Sequence, residues 1–109
     1  MYLRKLNLKA KLFRGLGDPT RLSILESLRD GEKTTSQIVL ESGHNQSNVS
    51  NHLSCLLDCG LVQNRRQGRN IFYNISDKKV SKLLEQSDAI LSDVAQGLNE
   101  CVNYNEVKN

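Results

Sequence analysis

No stretch of this sequence reaches the run of about 18 apolar residues that a membrane-crossing helix needs, and no charged-then-apolar leader opens it. A membrane-bound or exported chain is therefore not expected, and a cytoplasmic one is. Low-complexity tracts, internal repeats and interdomain linkers are missing too, so the 109 residues are expected to form one domain, 1–109. Cysteine numbers only 3, an odd count that in a reducing compartment argues for thiols over disulfides. Enzymatic signatures are also lacking. Ser50 and His52 stand two apart on an expected helix and point in different directions, so they cannot pair as nucleophile and base. There is no phosphate-binding glycine motif and no deaminase signature. An enzyme is not expected.

What is present is economical. Hydrophobic residues make up 38% of the chain, and the net charge is +3 with a pI near 8.9. That balance is compatible with a nucleic-acid partner without itself pointing to one. A homodimer would double the charge.

The most informative stretch is Asn45–Leu61, NQSNVSNHLSCLLDCGL. Val49, Leu53, Leu56 and Leu57 recur at i, i+4, i+7 and i+8, which predicts one apolar helical stripe. Asn48, His52, Cys55 and Cys59 form a neighbouring polar row at steps of four, three and four. Asn45 suits the N-cap and Gly60 the helix end. The expected helix thus carries groups fit for base edges and phosphates near its start, and two thiols near its end. A Cys55–Cys59 disulfide is poor geometry, since side chains one turn apart have Cβ atoms ~5–6 Å apart, beyond the disulfide range of about 3.5–4.5 Å. The alternative reading is a surface helix with two incidental cysteines.

In chain order, residues 3–16 place Leu3, Leu6, Leu8, Leu12, Phe13 and Leu16 among Arg4, Lys5, Lys9, Lys11 and Arg14, a basic amphipathic helix. Its apolar face is modest and lacks Trp, so it suits the protein body or a partner subunit better than a membrane surface. Gly17-Asp18-Pro19-Thr20-Arg21 restarts the helix, with Asp18 as cap and Pro19 in the first turn. Leu22, Ile24, Leu25 and Leu28 follow as a core stripe ended by Asp30-Gly31. Thr34 or Thr35 caps a short helix through Ile38, Val39 and Leu40, stopped by Ser42-Gly43. A short helix, a glycine-containing turn and a helix rich in Ser and Asn make a helix-turn-helix pattern. The period then changes. Leu61–Arg66 and Asn70–Ile75 read as two strands joined by Gln67-Gly68-Arg69, a hairpin with Arg65, Arg66 and Arg69 at its tip. Those arginines suit phosphate or minor-groove contacts; alternatively they discourage edge pairing. After Ser76-Asp77, Val80, Leu83, Leu84, Ile90, Leu91, Val94, Ala95 and Leu98 keep helical spacing. A terminal helix this apolar wants a partner, and the first and last helices are the natural dimer interface. The expected fold is mainly α with a β-hairpin wing, a winged helix-turn-helix.

For DNA contact, Gln46, Ser47, Asn48, Asn51 and His52 are assigned to the groove and Ser50 to a phosphate, with double-stranded operator DNA as partner. His52 is equally suited to a hydrogen bond within the helix-turn-helix, and His44 reads as a surface residue.

Four segments, Leu16-Gly17-Asp18-Pro19-Thr20-Arg21, Ser47-Asn48-Val49-Ser50-Asn51-His52-Leu53, Gly60-Leu61-Val62 and Gly68-Arg69-Asn70-Ile71-Phe72-Tyr73, carry a resemblance to the ArsR/SmtB family of winged-helix, metal-responsive repressors. They come in that family's order and spacing over about residues 6–98. The resemblance implies a homodimer on an operator of imperfect two-fold symmetry, released by an inducer. The cysteines resemble those of the CmtR-type cadmium/lead-sensing branch, with Cys55 and Cys59 at C-x₃-C before Gly-Leu-Val. Cys101 stands where that branch takes a third thiol from the C-terminal region of the other subunit. The Cys-Val-Cys arrangement of other arsenic and cadmium sensors is absent. Asp88 and Asp93 are present but no His follows His52, unlike the zinc, cobalt and nickel sensors.

Thiolates select soft or borderline ions. Two thiolates bind weakly and a third closes the site. Three around a divalent ion suit Cd(II) or Pb(II), with Zn(II) or As(III) as further candidates. An ion holding the end of the reading helix is expected to shift it from its DNA-competent pose. The rival reading on the same fold is a thiol-based redox-sensing repressor. Neither Cys55 nor Cys59 has a Lys or Arg within several residues in sequence to support it.

Overall fold

The structure, a computed structural model, describes residues 2–108, with side chains for residues 2–94. The chain divides into two compact units, Met1–Lys78 and Lys79–Asn109.

The first unit opens with α1 (Tyr2–Leu16), whose end is set where Gly17 donates back to Phe13 O at 2.8 Å. Asp18 then starts α2 (Pro19–Ser27) by accepting the backbone N–H groups of Thr20 and Arg21 at 2.9 and 3.0 Å, with Pro19 in the first turn. A two-residue strand, β1 (Lys33–Thr34), was not foreseen from sequence. Thr34 ends that strand and caps α3 (Thr35–Ser42). Its Oγ1 accepts Gln37 N–H while Gln37 Oε1 accepts Thr34 N–H at 2.8 Å, a reciprocal capping box. Gly43, at φ +76°, closes α3 in the left-handed region that a side chain rarely adopts. Two residues on, Asn45 caps α4 (Gln46–Asp58) by accepting Asn48 N–H at 2.8 Å.

β2 (Val62–Gln67) and β3 (Asn70–Ile75) form the hairpin, in register from Val62 opposite Ile75 to Gln67 opposite Asn70. The connecting turn is two residues, Gly68-Arg69, with Gly68 at φ +63°, as a tight hairpin with glycine first requires. Gln67 therefore belongs to the strand, not the loop. β1 adds to the free side of β3, giving the antiparallel order β1-β3-β2.

Leu16, Ile24, Leu25, Leu28, Ile38, Val49, Leu53, Leu56, Leu61 and Val62 form the core of this unit. Val49, Leu53 and Leu56 of the expected α4 stripe are buried, while Leu57 is only half-buried at the edge. α1 is different. Tyr2, Leu3, Leu6, Leu8, Leu12 and Phe13 all remain exposed within the chain. The second unit lies within α5 (Lys78–Lys108), and Ile90, Leu91 and Val94 are exposed along it. Cys101 lies outside the described side chains. Among the described residues, no helix is long and apolar enough to cross a membrane.

Candidate DNA interface and thiol site

α3, the turn at Gly43 and α4 form the helix-turn-helix, and burial of Val49, Leu53 and Leu56 fixes which side of α4 faces outward. Gln46, Ser47, Asn48, Ser50 and Asn51 are exposed on its first two turns, and His52 is half-buried. The unpaired N–H groups of the first turn add a partial positive charge beside them, favourable to phosphate. His52 also acts inward. The Asp18 carboxyl is held below its usual range chiefly by the backbone N–H of Arg21, and further by the charges of His52 and Arg21.

The three wing arginines separate into two kinds. Adjacent strand residues face opposite sides. Arg65 faces as Phe72 does, its register partner, and its guanidinium lies 4.7 Å over that ring. Its Nε donates to Glu32 Oε2 at 2.9 Å, Nη2 bonds the other Glu32 oxygen, and Nη1 reaches Gln67 Oε1 at 2.8 Å. The pair holds the Glu32 carboxyl below its usual range and raises Arg65. Arg65 thus braces the wing to the loop before β1. Arg66 and Arg69 are exposed, and neither guanidinium has an ion-pair partner among the described residues.

Beneath the wing, Lys33 gathers Asp30 at 2.9 Å, Glu41 at 2.8 Å and the carbonyl of Ser27. Glu41 first, then Asp30, raises its pKa. Glu32, Lys33 and β1 all escaped the sequence reading. Their partners are distant or on the far side of a turn, and two residues show no strand period.

At the other end of α4, Cys55 is half-buried and Cys59 exposed, both as free thiols. They stand one turn apart, with the N–H of Cys59 on the carbonyl of Cys55 at 3.0 Å. Cys59 caps the helix C-terminus, and Gly60 beyond it has φ +77°. Cys59 also lines an open cavity of about 310 Å³ with Leu8, Leu12, Gly15 and Leu61. These two sulfurs suit a thiophilic ion. Among the described residues no group of three or more His, Cys, Asp or Glu converges on one point. Sequence distance hid one neighbour: Arg21 of α2 donates from Nη1 to Cys55 Sγ at 3.0 Å.

The profile of the bacterial regulatory protein arsR family matches residues 18–64, from the cap of α2 into the wing. A probable mercury resistance operon repressor from Streptomyces lividans is 41% identical over 84% of this chain and 74% of its own length. The chain belongs to the bacterial arsR family of regulatory proteins. HTH-type transcriptional regulator CmtR of Mycobacterium tuberculosis is 45% identical over 69% of this chain, which spans 64% of that regulator. Among solved structures, the homodimeric winged helix-turn-helix DNA-binding domain of a possible ArsR-family regulator from Mycobacterium bovis superposes with a TM-score of 0.76. That match is 28% identical over 87% of each chain. This family fold is a winged helix-turn-helix, and its members are regulators rather than enzymes.

Proposed function

We propose that this chain is a metal-responsive transcriptional repressor that grips operator DNA as a homodimer and lets go when a thiophilic ion binds. The observation that carries the reading is one helix, α4, with exposed polar residues at its start and two free thiols at its end, Cys59 exposed and Cys55 half-buried. Gln46, Ser47, Asn48, Asn51 and His52 read the groove, Ser50 meets a phosphate, and Arg66 and Arg69 meet the backbone from the wing. Arg65 supports that wing, its charge paired with Glu32. The exposed apolar faces of α1 and α5 are the dimer surface, as in a family with homodimeric members.

Cys55 and Cys59 hold the ion, and Cys101 supplies the third thiolate. When bound, the ion supplies a charge and a bond framework that thiols alone lack. The Streptomyces relative's name supports a metal signal, and the ligand chemistry favours Cd(II) or Pb(II), with Zn(II) and As(III) as weaker candidates. The name of the Streptomyces relative adds Hg(II) to the ions worth testing. Linkage makes the effect reciprocal: DNA weakens ion binding by the factor by which the ion weakens DNA binding, typically about 1–3 kcal/mol.

The test is operator affinity titrated with each ion, on the wild type, Cys55→Ser and Cys101→Ser. Cys55→Ser keeps operator affinity and loses ion-driven release; a mutant that still dissociates normally with Cd(II) defeats the reading. One observation favours oxidation as a second signal. Reactive cysteines sit in electropositive, partly exposed surroundings, and Cys55 has a guanidinium on its sulfur. Peroxide would take the thiol to a sulfenic acid with loss of water. Release of DNA by peroxide in metal-free buffer distinguishes it.

A further inference from the structure

Arg21 does more than follow a helix cap. Helical spacing puts it on the side of α2 that carries Ile24, Leu25 and Leu28, all buried. Its side chain is 23% exposed. Nη1 donates to Cys55 Sγ at 3.0 Å, Nη2 lies 4.0 Å from Asp18 Oδ2, and Nε is buried with no hydrogen-bond partner. A buried donor left unsatisfied works against stability. The placement therefore favours occupancy of the sulfur over the most stable disposition of the guanidinium. The other residues that α2 and α4 bury are aliphatic, and aliphatic contact is not directional. The bond to sulfur is directional, so it adds an angular restraint to the orientation that the buried stripe sets for α4.

We propose that Arg21 is a positioning residue of the thiol site. It pins Cys55, and with it the angular setting of the reading row, until a thiophilic ion takes the sulfur and releases the guanidinium. This rests on the thiol-site reading above. In the exchange the sulfur gives an electron pair to the ion, and any proton on the thiol leaves to water. Nothing is oxidised or reduced. The guanidinium keeps its protons and turns to the Asp18 carboxylate, which the N–H groups of Thr20 and Arg21 already hold in place.

Arg21→Met is the decisive variant, because it keeps an apolar stem of similar length and removes both the donor and the unsatisfied Nε. Full-length wild type, Arg21→Met, Arg21→Lys and Cys55→Ser are titrated with Cd(II) chloride. Affinity off DNA is read from sulfur-to-cadmium charge-transfer absorbance, and operator affinity from anisotropy. The expected result has three parts. Arg21→Met binds Cd(II) about tenfold tighter off DNA, the scale of one lost competing hydrogen bond to a charged group. Its ion-free operator affinity falls toward that of the ion-bound wild type, so the ratio of affinities without and with Cd(II) shrinks toward one. Arg21→Lys, which keeps a cationic donor, stays near the wild type.

Cd(II) affinity in Arg21→Met that equals or falls below the wild type overturns the proposal, as does an unchanged ratio. If the wild type shows no charge-transfer band, the thiol-site reading falls and this proposal with it. If the band is present and vanishes in Cys55→Ser while Arg21→Met matches the wild type, only the role of Arg21 falls. Should Arg21→Met fail to fold, Arg21→Leu, which also lacks a donor, carries the same measurements with the same expectations.

Discussion

Arginine is the residue that most changes meaning between sequence and structure. Arg65, Arg66 and Arg69 look equivalent as text, yet Glu32 and Phe72 claim the first and leave the other two open. A distinct outcome follows for each. Arg66→Ala and Arg69→Ala each reduce the slope of log operator affinity against log salt by about one. Arg65→Ala leaves that slope nearer the wild type and instead loosens the wing, visible as faster amide exchange in β2 and β3. Arg21 shows why such roles are hard to read. Its partner lies 34 residues away, and nothing local announces a sulfur. There was a signal all the same. A charged residue three, four and seven positions before Ile24, Leu25 and Leu28 stands on a core stripe and needs an acceptor. The capping side chains were legible because their partners are two or three residues away. Asn45→Ala removes the cap of α4 and is expected to lower stability by about 1 kcal/mol in urea unfolding.

Among elements, α4 was the most readable, with only Leu57 of its stripe left half-buried. Its cap, apolar stripe, polar row and terminal glycine all obey one period, and the buried positions Val49, Leu53 and Leu56 fall where that period puts them. Because the stripe orients the row, damage to it has two effects. Leu53→Ala is expected to destabilise the fold by about 2–5 kcal/mol, and to weaken operator binding even at temperatures where the protein stays folded. Thermal unfolding and anisotropy measured on one sample separate the two. The hairpin was legible too, with its turn one residue shorter than expected. β1 was not, since Lys33 and Thr34 become a strand only because β3 offers a free edge. The proposed ion site was half legible. The spacing of Cys55 and Cys59 could be seen in the sequence, but the spacing said nothing of the guanidinium between α4 and α2.

At the scale of the molecule, two properties belong to no single element. The first is the apolar area that α1 and α5 each leave exposed. Leu8→Glu or Leu12→Glu is expected to shift the protein toward monomer in sedimentation, with operator affinity falling as two half-sites cease to be bound together. The second is acid sensitivity. The Asp18, Asp30 and Glu32 carboxyls are all held below their ordinary values, by the N–H of Arg21, by Lys33 and by Arg65 respectively. In acid the folded chain therefore binds fewer protons than the unfolded one, and stability rises with pH there. The contribution is complete above the ordinary values of 3.8 and 4.5 and disappears as pH falls through the lowered ones. The thermal midpoint should drop below about pH 4.5, and less steeply in Glu32→Gln.

Gly60 sets a boundary for anyone wishing to retune this protein as a biosensor. With its backbone at φ +77°, residue 60 accepts a side chain only under strain. A new donor atom cannot be placed at residue 60 itself without disturbing the exit from α4. Repurposing toward a harder ion can begin instead with Asp58, whose carboxylate already borders the open cavity that Cys59 lines.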